Sequence, residues 1–376
     1  MTFETYQRLA KPWTAQHGEA SFAVHEPATG RLLANFRTHS ADEVDRVVNN
    51  AHRAFVDGWR EVPAGARATL MKKAARLLRD NADEIAEIES CEVGKPIEIS
   101  RHYDMVVSAE SFEYFGSLAD KHGGQSFPGG PIDTNTIREP YGVVAGIIPF
   151  NWPPVHTSAK LAPALAAGNV VILKPPEQCP LTVLRIVELL QGVFPAGVIQ
   201  TISGTGPDTG RALVSHPLVR RISFTGSPQS GSAVLAAAAG NLTGALLELG
   251  GKNPLLVFAD ADIELAVDGA VEGAFFNQGE ACTSASRILV HKDIADEFTH
   301  RFIAATRRLR IGDGLDPGTH IGPMVTAQHQ SRVQEYVAVG IDEGATLAYR
   351  GAVPADTQRT PAWRRDSSLP QSSSRT

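Results

Sequence analysis

The chain has 376 residues and 43% hydrophobic residues, which favours a globular protein of two domains, because single cores stop growing at about 250–300 residues. Its net charge of −6 argues against broad nucleic-acid binding, which needs a basic surface. No apolar run reaches the length of a membrane span, and residues 1–18 lack the apolar core and cleavage site of a signal peptide.

The three cysteines are scattered along the chain and odd in number: Cys91, Cys179 and Cys282. This usage fits a reducing compartment better than a disulfide framework. We therefore expect a cytoplasmic protein without membrane or nucleic-acid partners.

The first third of the chain is predicted to be mainly helical. Ser40 and Glu43 form a capping-box pattern ahead of a helix that reaches about Phe55. A second amphipathic helix is predicted over residues 66–88. A Gly/Pro-rich break at residues 123–131 then precedes a short extended segment at residues 134–138.

From Gly142 onward, apolar strands alternate with helices. This alternation predicts parallel strands joined by right-handed crossovers, in a doubly wound sheet that binds ligands at the carboxyl ends of its strands. The predicted strands are residues 142–150, 170–174, 199–203, 221–225 and 245–249, and the predicted helices are residues 157–167, 182–191, 208–215 and 230–239.

A second α/β unit begins near Gly250. Its predicted strands are residues 255–258 and 287–291, and its predicted helices are residues 262–275 and 293–308. The tail from about Val353 is rich in Ser, Arg and Pro and has no periodicity, so we expect it to be disordered.

Cys282 is the first candidate for chemistry. A lone cysteine is more often a small buried hydrophobe. Here it lies in a polar segment of small residues, 277–284, between an apolar helix and a strand. Such a segment can expose a thiol and offer backbone N–H groups that hold a developing oxyanion.

Glu248 and Asn151 each follow or end an apolar strand, and each leaves two interpretations open. Glu248 is either a paired structural carboxylate or a general base whose pKa is raised by apolar surroundings. Asn151, next to prolines, is either a turn former or an amide donor to an oxyanion.

Two further strand ends carry polar residues that could bind a cofactor. Lys174 and Glu177 form either a solvated ion pair or a cradle in which the carboxylate accepts hydrogen bonds from ribose hydroxyls. Gly226 and Ser227 end another strand just before a helix, where backbone N–H groups can bind a phosphate.

The segment from Gly204 to Gly206 resembles half of a dinucleotide-binding fingerprint, but the third glycine, Gly210, comes one residue late, so the signal is weak alone. The sequence contains no paired CxxC, no HExxH and no P-loop. We therefore expect neither a metal centre nor a P-loop nucleotidase.

Together these segments resemble the aldehyde dehydrogenase superfamily from about residue 22 to residue 351. Four blocks carry the resemblance in the family's order and spacing: residues 149–153 (PFNWP), 224–227 (FTGS), 247–254 (LELGGKNP) and 279–283 (GEACT). Residues 26–30 and 174–177 are also similar to the family. Any one block could be chance, but the combination is highly specific.

The resemblance implies an α/β fold with a doubly wound parallel-sheet cofactor domain and an α/β catalytic domain that lacks its C-terminal part. The cofactor domain would comprise residues 1–122 and 141–249, interrupted by an oligomerisation-flap segment at residues 123–140. The incomplete catalytic domain would comprise residues 250–351, followed by an aberrant, disordered tail at residues 352–376.

The resemblance also implies NAD as the cofactor. The residues expected to line its site are Ile147, Ile148, Phe150, Lys174, Glu177, Gly206, Gly226, Ser227 and Glu248. A carboxylate at Glu177 would accept from the adenosine ribose and repel a 2′-phosphate, which makes NADP the less favoured cofactor.

By the same resemblance, the catalytic residues are Cys282, Glu248 and Asn151. The Cys282 thiolate would add to an aldehyde carbonyl, and the Cys282 N–H and the Asn151 amide would hold the oxyanion. Hydride transfer would leave a thioester, and Glu248 would activate the water that hydrolyses it.

Two alternatives stay open. A CoA-acylating aldehyde dehydrogenase passes the acyl group to CoA and does not need the general base, so the full context of Glu248 favours hydrolysis. A non-catalytic or impaired remnant would keep the fold without turnover. The sequence does not identify the aldehyde.

The last residues depart from the family. The resemblance reaches residues 321–324 and 349–351, whereas residues 362–376 replace the apolar segment and the Glu-Ile-Phe-Gly-Pro block expected next. Permitted codons allow a family-like apolar segment in a shifted frame, so we predict a frameshift or an equivalent truncation. Such a loss would expose apolar surface and remove the partner strand of residues 134–138. We therefore expect a weakened homo-oligomer and impaired activity.

Overall fold

The computed structural model of the protein describes residues 1–129 and 131–353. Its helices are α1 (Phe3–Ala10), α2 (Ala41–Val56), α3 (Ala64–Asp80), α4 (Ala82–Val93), α5 (Ile97–Ile99), α6 (Met105–Leu118), α7 (Pro153–Ala166), α8 (Leu181–Gln191), α9 (Arg211–Val214), α10 (Pro228–Ala238), α11 (Ile263–Phe275), α12 (Ala295–Thr306) and α13 (Ala327–Asp342). The expected disorder of the tail falls on residues outside this description.

The strands form one large sheet and three small ones. They are β1 (Ser21–His25), β2 (Leu32–Arg37), β3 (Ser126–Phe127), β4 (Thr134–Asn135), β5 (Val143–Ile147), β6 (Val170–Lys174), β7 (Ile199–Thr201), β8 (Val219–Gly226), β9 (Gly244–Leu249), β10 (Pro254–Val257) and β11 (Arg287–Val290).

The central sheet has the order β7-β6-β5-β8-β9, and all its pairings are parallel. The chain moves outward from β5 to β6 and β7, then returns to the other side of β5 for β8 and β9. This arrangement confirms the predicted doubly wound sheet. The reversal lies between β5 and β8, where crevices for ligands form at the carboxyl ends of the strands.

Burial of both sheet faces explains the apolar runs that predicted these strands. Every residue of β6 is buried, and the sheet core continues into α2, α3, α6 and α7. Strand β9 is different because it lies at the sheet edge, where Leu246 is 49% exposed and Leu249 is 38% exposed.

Two predicted boundaries were wrong. The single helix expected over residues 66–88 is two helices, α3 and α4, because the Asn81 side chain donates to the Leu77 carbonyl (2.8 Å) and the Asn81 backbone leaves helical geometry. The strand expected over residues 142–150 ends at Ile147, because the chain turns before Pro153 to begin α7.

The extended segment expected at residues 134–138 is strand only at Thr134–Asn135, which pairs antiparallel with Ser126–Phe127. Within the described residues this hairpin is exposed on both strands. Its role as an oligomerisation flap stays a prediction.

The second unit is built on the parallel pair β10 and β11, whose apolar side chains share one cluster with those of α11 and α12. A small cluster fills its interior: Val257, Val267, Ala270, Phe298 and Ala305. Large apolar side chains on this unit are exposed to solvent: Leu256, Phe258, Leu265 and Leu289. None of the helices that the structure describes is long and apolar enough to cross a membrane.

A buried carboxylate holds the N-terminal segment to the sheet domain. Glu92, near the end of α4, is fully buried and accepts from Leu181 N (3.0 Å) and Thr182 N (2.7 Å), the first amides of α8. It also accepts from the Tyr6 hydroxyl (3.0 Å) of α1. Helix α8 has no side-chain cap of its own, so Glu92 caps it from a distant helix.

We predict that Glu92→Ala lowers the free energy of unfolding by about 3 kcal/mol or more, because several buried donors lose their acceptor. Urea denaturation measures the change. Glu110→Ala removes an exposed carboxyl from α6 and should change stability by less than about 0.5 kcal/mol. Similar losses in both variants would contradict the capping role.

Candidate active site

The candidate nucleophile lies on a turn between α11 and β11. Cys282 is partly exposed, whereas Cys91 and Cys179 are buried. Burial raises the pKa of the Cys91 thiol and of the Cys179 thiol, so both are held as neutral thiols. The structure thus separates the one accessible cysteine from two inert ones.

Three asparagine amides attach the Cys282 turn to the rest of the protein. Asn151 Nδ2 donates to the Glu280 carbonyl (2.8 Å), and Asn277 Nδ2 donates back to the Asn151 carbonyl (3.0 Å). Asn253 Nδ2 donates to the Cys282 carbonyl (2.7 Å). The structure therefore brings Asn151 to the turn that carries Cys282, and its role as an oxyanion donor stays a prediction.

The turn has an unusual backbone. Asn277 (φ 50°), Gln278 (φ 65°) and Gly279 (φ 77°) are consecutive left-handed residues. A left-handed conformation costs about 1–2 kcal/mol for an ordinary L-residue. Such strain persists only where surrounding contacts impose it, and it is concentrated at functional sites.

Glu248 differs from expectation. The structural and the catalytic interpretation of Glu248 both assumed a buried carboxylate, but the residue is exposed at the end of the edge strand β9. The reason is topological, because an edge strand has a neighbour on one side only. In the described ranges, no hydrogen bond or ion pair joins Glu248 to the Cys282 turn.

Lys160 is a buried charged group that the sequence analysis missed. It lies on α7, and its Nζ donates to Thr225 Oγ1 (2.7 Å) on β8. Burial lowers the pKa of Lys160 to about 8, and the nearby Glu248 carboxylate opposes this shift. A lysine on an otherwise apolar helix face was the signal that could have identified it.

The predicted cofactor residues meet at the carboxyl edge of the central sheet. Lys174 ends β6 and is 2% exposed, so the solvated ion pair considered above is excluded for its amine. The Glu177 carboxylate lies 3.4 Å from Lys174 Nζ and accepts from Gly206 N (2.7 Å). These contacts fix a partly exposed carboxylate beside an exposed glycine backbone.

The residues that follow β5 and β8 form the other side of this edge. Ser227 is the N-cap of α10 and accepts from Ser230 N (3.1 Å). A side chain at Gly226 would meet the Phe224 ring at 2.6 Å. Ile147 ends β5 and pairs with Phe224 of β8, and Ile148 and Phe150 follow it in the chain. The Phe150 ring packs edge-on against His329 of α13.

Glu280 is a buried carboxyl two residues before Cys282. Its side chain is 6% exposed, and its Oε1 lies 3.6 Å from His329 Nε2. Burial raises the pKa of Glu280 to about 7, against the opposing effects of Lys95 and the Gln278 side chain. A group that titrates near neutral pH therefore lies beside the candidate nucleophile.

Comparison with known proteins identifies the family. The aldehyde dehydrogenase family matches residues 13–363, so the chain belongs to it. An aldehyde dehydrogenase of Didymella fabae is 45% identical over 346 residues, covering 92% of this chain and 70% of that protein. The citD aldehyde dehydrogenase of Monascus ruber is 47% identical over 342 residues, covering 91% of this chain and 68% of that protein.

A solved structure agrees with this assignment. The crystal structure of betaine aldehyde dehydrogenase from Staphylococcus aureus in complex with NAD⁺ superposes with a TM-score of 0.89 at 33% identity. The superposition covers 96% of this chain and 74% of that one. The chain is thus an α/β protein of the aldehyde dehydrogenase fold, and it spans about 70% of the length of the two fungal relatives.

The Glu280 pKa generates a pH prediction. In the folded protein the pKa of Glu280 is about 7, above the ordinary 4.5, so the folded state holds this proton more tightly than the unfolded state does. The stability that this difference supplies is fully present below pH 4.5 and is lost as the pH rises through 7. Between pH 5 and 8 the stability of the wild type should fall relative to Glu280→Gln by up to about 3 kcal/mol.

Chemical denaturation of both proteins at pH 5 and pH 8 measures this difference. Glu272→Gln removes an exposed carboxyl from α11 and should track the wild type at both pH values. A difference between wild type and Glu280→Gln that does not change with pH would contradict the raised pKa.

Proposed function

We propose that this chain oxidises an aldehyde to a carboxylic acid with NAD, through a thioester on Cys282. The observation that carries the proposal is the asparagine framework of the Cys282 turn. In this framework Asn151 bonds to the turn that carries the partly exposed Cys282, which supports a role for its amide in stabilising negative charge near the thiol.

The Asn151 amide suits the oxyanion. Its Nδ2 carries two hydrogens, and the Glu280 carbonyl uses one of them. The other hydrogen is free to donate to a substrate oxygen. In the part of the chain that the structure describes, the Cys282 N–H donates to no protein acceptor and can supply a second donor.

The carboxyl edge of the sheet suits a dinucleotide. The Glu177 carboxylate, held by Gly206 N and Lys174, can accept from ribose hydroxyls, and the start of α10 at Ser227 can donate N–H groups to a phosphate. NAD, when bound, accepts the hydride that leaves the aldehyde carbon. From the family resemblance we assign the cofactor domain to residues 1–122 and 141–249 and the catalytic domain to residues 250–351.

Cys282, Asn151 and Glu248 each have a separate role in the proposed reaction. The Cys282 thiolate forms a carbon–sulfur bond to the carbonyl carbon, and the carbonyl electron pair moves to the oxygen held by Asn151. Departure of hydride restores the carbonyl as a thioester. Glu248 takes a proton from water, the resulting hydroxide attacks the thioester, and the acid leaves as the thiolate is regenerated.

The exposure of Glu248 is compatible with a role in hydrolysis of the thioester. An exposed carboxylate is freely reached by water, and in the described part of the chain it has no hydrogen-bond or ion-pair partner that would compete for its oxygens. Glu248 pairs in register with Thr225 of β8, and β8 is the neighbour of β5, the strand that leads to Asn151. These features support Glu248 as the base.

We predict that Cys282→Ser abolishes aldehyde oxidation, because a serine hydroxyl is far less nucleophilic than a thiolate, while NAD affinity changes by less than about threefold. Steady-state assay and NAD titration measure the two effects. Cys91→Ala, which changes a buried cysteine distant in sequence, is the matched control and should retain turnover. Equal activity in wild type and Cys282→Ser would reject the nucleophile.

We predict that Glu248→Gln gives a stoichiometric burst of NADH followed by steady-state turnover slowed about 100-fold, because deacylation loses its base. Stopped-flow absorbance resolves the two phases. Glu272→Gln, an exposed carboxyl of the same unit as Cys282, should turn over like the wild type. Normal steady-state turnover in Glu248→Gln would exclude this role.

A further inference from the structure

The left-handed turn before Cys282 is anchored by a side chain that the reaction scheme does not use. Gln278 is one of three non-glycine residues with positive φ among those the structure describes, and a second one, Asn277, immediately precedes it. Asparagine often adopts this conformation because its short side chain bonds locally, whereas glutamine has no such advantage. Some contact must therefore hold Gln278 in place.

That contact is a hydrogen bond to a distant backbone. The Gly322 N–H donates to Gln278 Oε1 at 2.5 Å, across 44 residues of sequence. Gln278 is half-buried, and Asn277 beside it is fully buried with its side chain bonded to the Asn151 carbonyl. Both strained residues are therefore fixed by partners outside the turn.

The anchor point is closely packed, because backbone atoms of separate segments are in direct contact there. A Cβ at Gly322 would lie 1.9 Å from the Gly94 carbonyl oxygen, and a Cβ at Gly94 would lie 2.5 Å from the Pro323 carbonyl oxygen. A Cβ at Gly314 would lie 2.5 Å from the Gly94 carbonyl oxygen. We call Gly94, Gly314 and Gly322 the glycine junction.

The glycine junction lies next to the buried C-terminal end of α4. Ile97 N donates to the Gly314 carbonyl (2.8 Å), and Lys95 is held in the interior by ion pairs with Glu89 (2.6 Å) and Asp104. Lys95 has a raised pKa, because these two carboxylates outweigh the effect of burial. The Gly322 N–H that binds Gln278 therefore belongs to a buried, tightly packed part of the protein.

We propose that Gln278 is a positioning residue, which holds the turn so that the Cys282 thiol faces the substrate carbonyl. The proposal rests on the proposed role of Cys282 as nucleophile. Strain in the turn is the physical reason that an anchor is needed, because without one the backbone would relax from the left-handed region. A shift of about 1 Å in a nucleophile is enough to slow a reaction by about 100-fold.

Two variants separate positioning from simple stabilisation. Gln278→Gly removes the anchor and also the strain, since glycine adopts positive φ freely. Gln278→Met keeps the side-chain length and the strain but removes the acceptor oxygen. A merely structural Gln278 would affect melting temperature and activity together in both variants.

We expect Gln278→Gly to melt close to the wild-type temperature, because relief of the strain offsets the loss of the acceptor for the buried Gly322 N–H, while the pre-steady-state rate of NADH formation (the burst rate) falls by about tenfold or more. Gln278→Met should lose the same rate and melt at a lower temperature. Alkylation of Cys282 by iodoacetamide, with Cys282→Ser as the blank, should change by less than about threefold in Gln278→Gly, because the thiol stays accessible.

A wild-type burst rate in Gln278→Gly would overturn the proposal, and so would a wild-type burst rate in Gln278→Met if the glycine variant does not fold. Failure of the proposed function appears separately, as aldehyde oxidation by Cys282→Ser or as no formation of NADH by the wild type. The two hypotheses can therefore be rejected independently.

Discussion

Parallel pairing in the central sheet is the constraint on which the site depends. Parallel neighbours need a crossover connection, and β6 and β8 lie on opposite sides of β5. The segments after β5 and β8 must therefore separate as they leave the sheet. Asn151 therefore lies on the segment that leaves β5, and Ser227 lies on the segment that leaves β8.

Hydrogen bonds between side-chain amides and backbone carbonyls attach the second unit to that edge. Asn151 donates to the Glu280 carbonyl, and Asn277 donates back to the Asn151 carbonyl. Within the second unit Asn253 donates to the Cys282 carbonyl, so the Cys282 turn is fixed before any ligand arrives. Preorganised dipoles stabilise a developing charge without reorganisation at the moment of reaction. The membership of the chain in the aldehyde dehydrogenase family agrees with a site built for carbonyl chemistry.

The sequence predicted most elements after Gly142 because their signals are local. Strand β6 is buried on both faces, so an unbroken apolar run marked it. The hairpin of β1 and β2 and the helix α13 were missed, since α13 has no buried residue and hence no strong apolar stripe. The break at Asn81 depends on one side-chain hydrogen bond that periodicity does not reveal.

The site was predictable in its residue types but not in its environments. The strand of Glu248 looked buried, yet its place at the sheet edge is set by strand order rather than by its own residues. The bond between Asn277 and Asn151 joins residues 126 positions apart. Gln278 went unnoticed for the same reason, because its partner Gly322 lies in a different segment.

The capping of α8 by Glu92 has a consequence for synthesis on the ribosome. Glu92 and Thr182 are 90 residues apart, so α4 leaves the exit tunnel long before the amides that it will cap. At ordinary translation speeds the delay is on the order of ten seconds. During that time the carboxylate stays hydrated and Tyr6 has no permanent partner. The N-terminal helix can therefore dock only after about half of the chain has emerged, which makes its docking a late event in cotranslational folding.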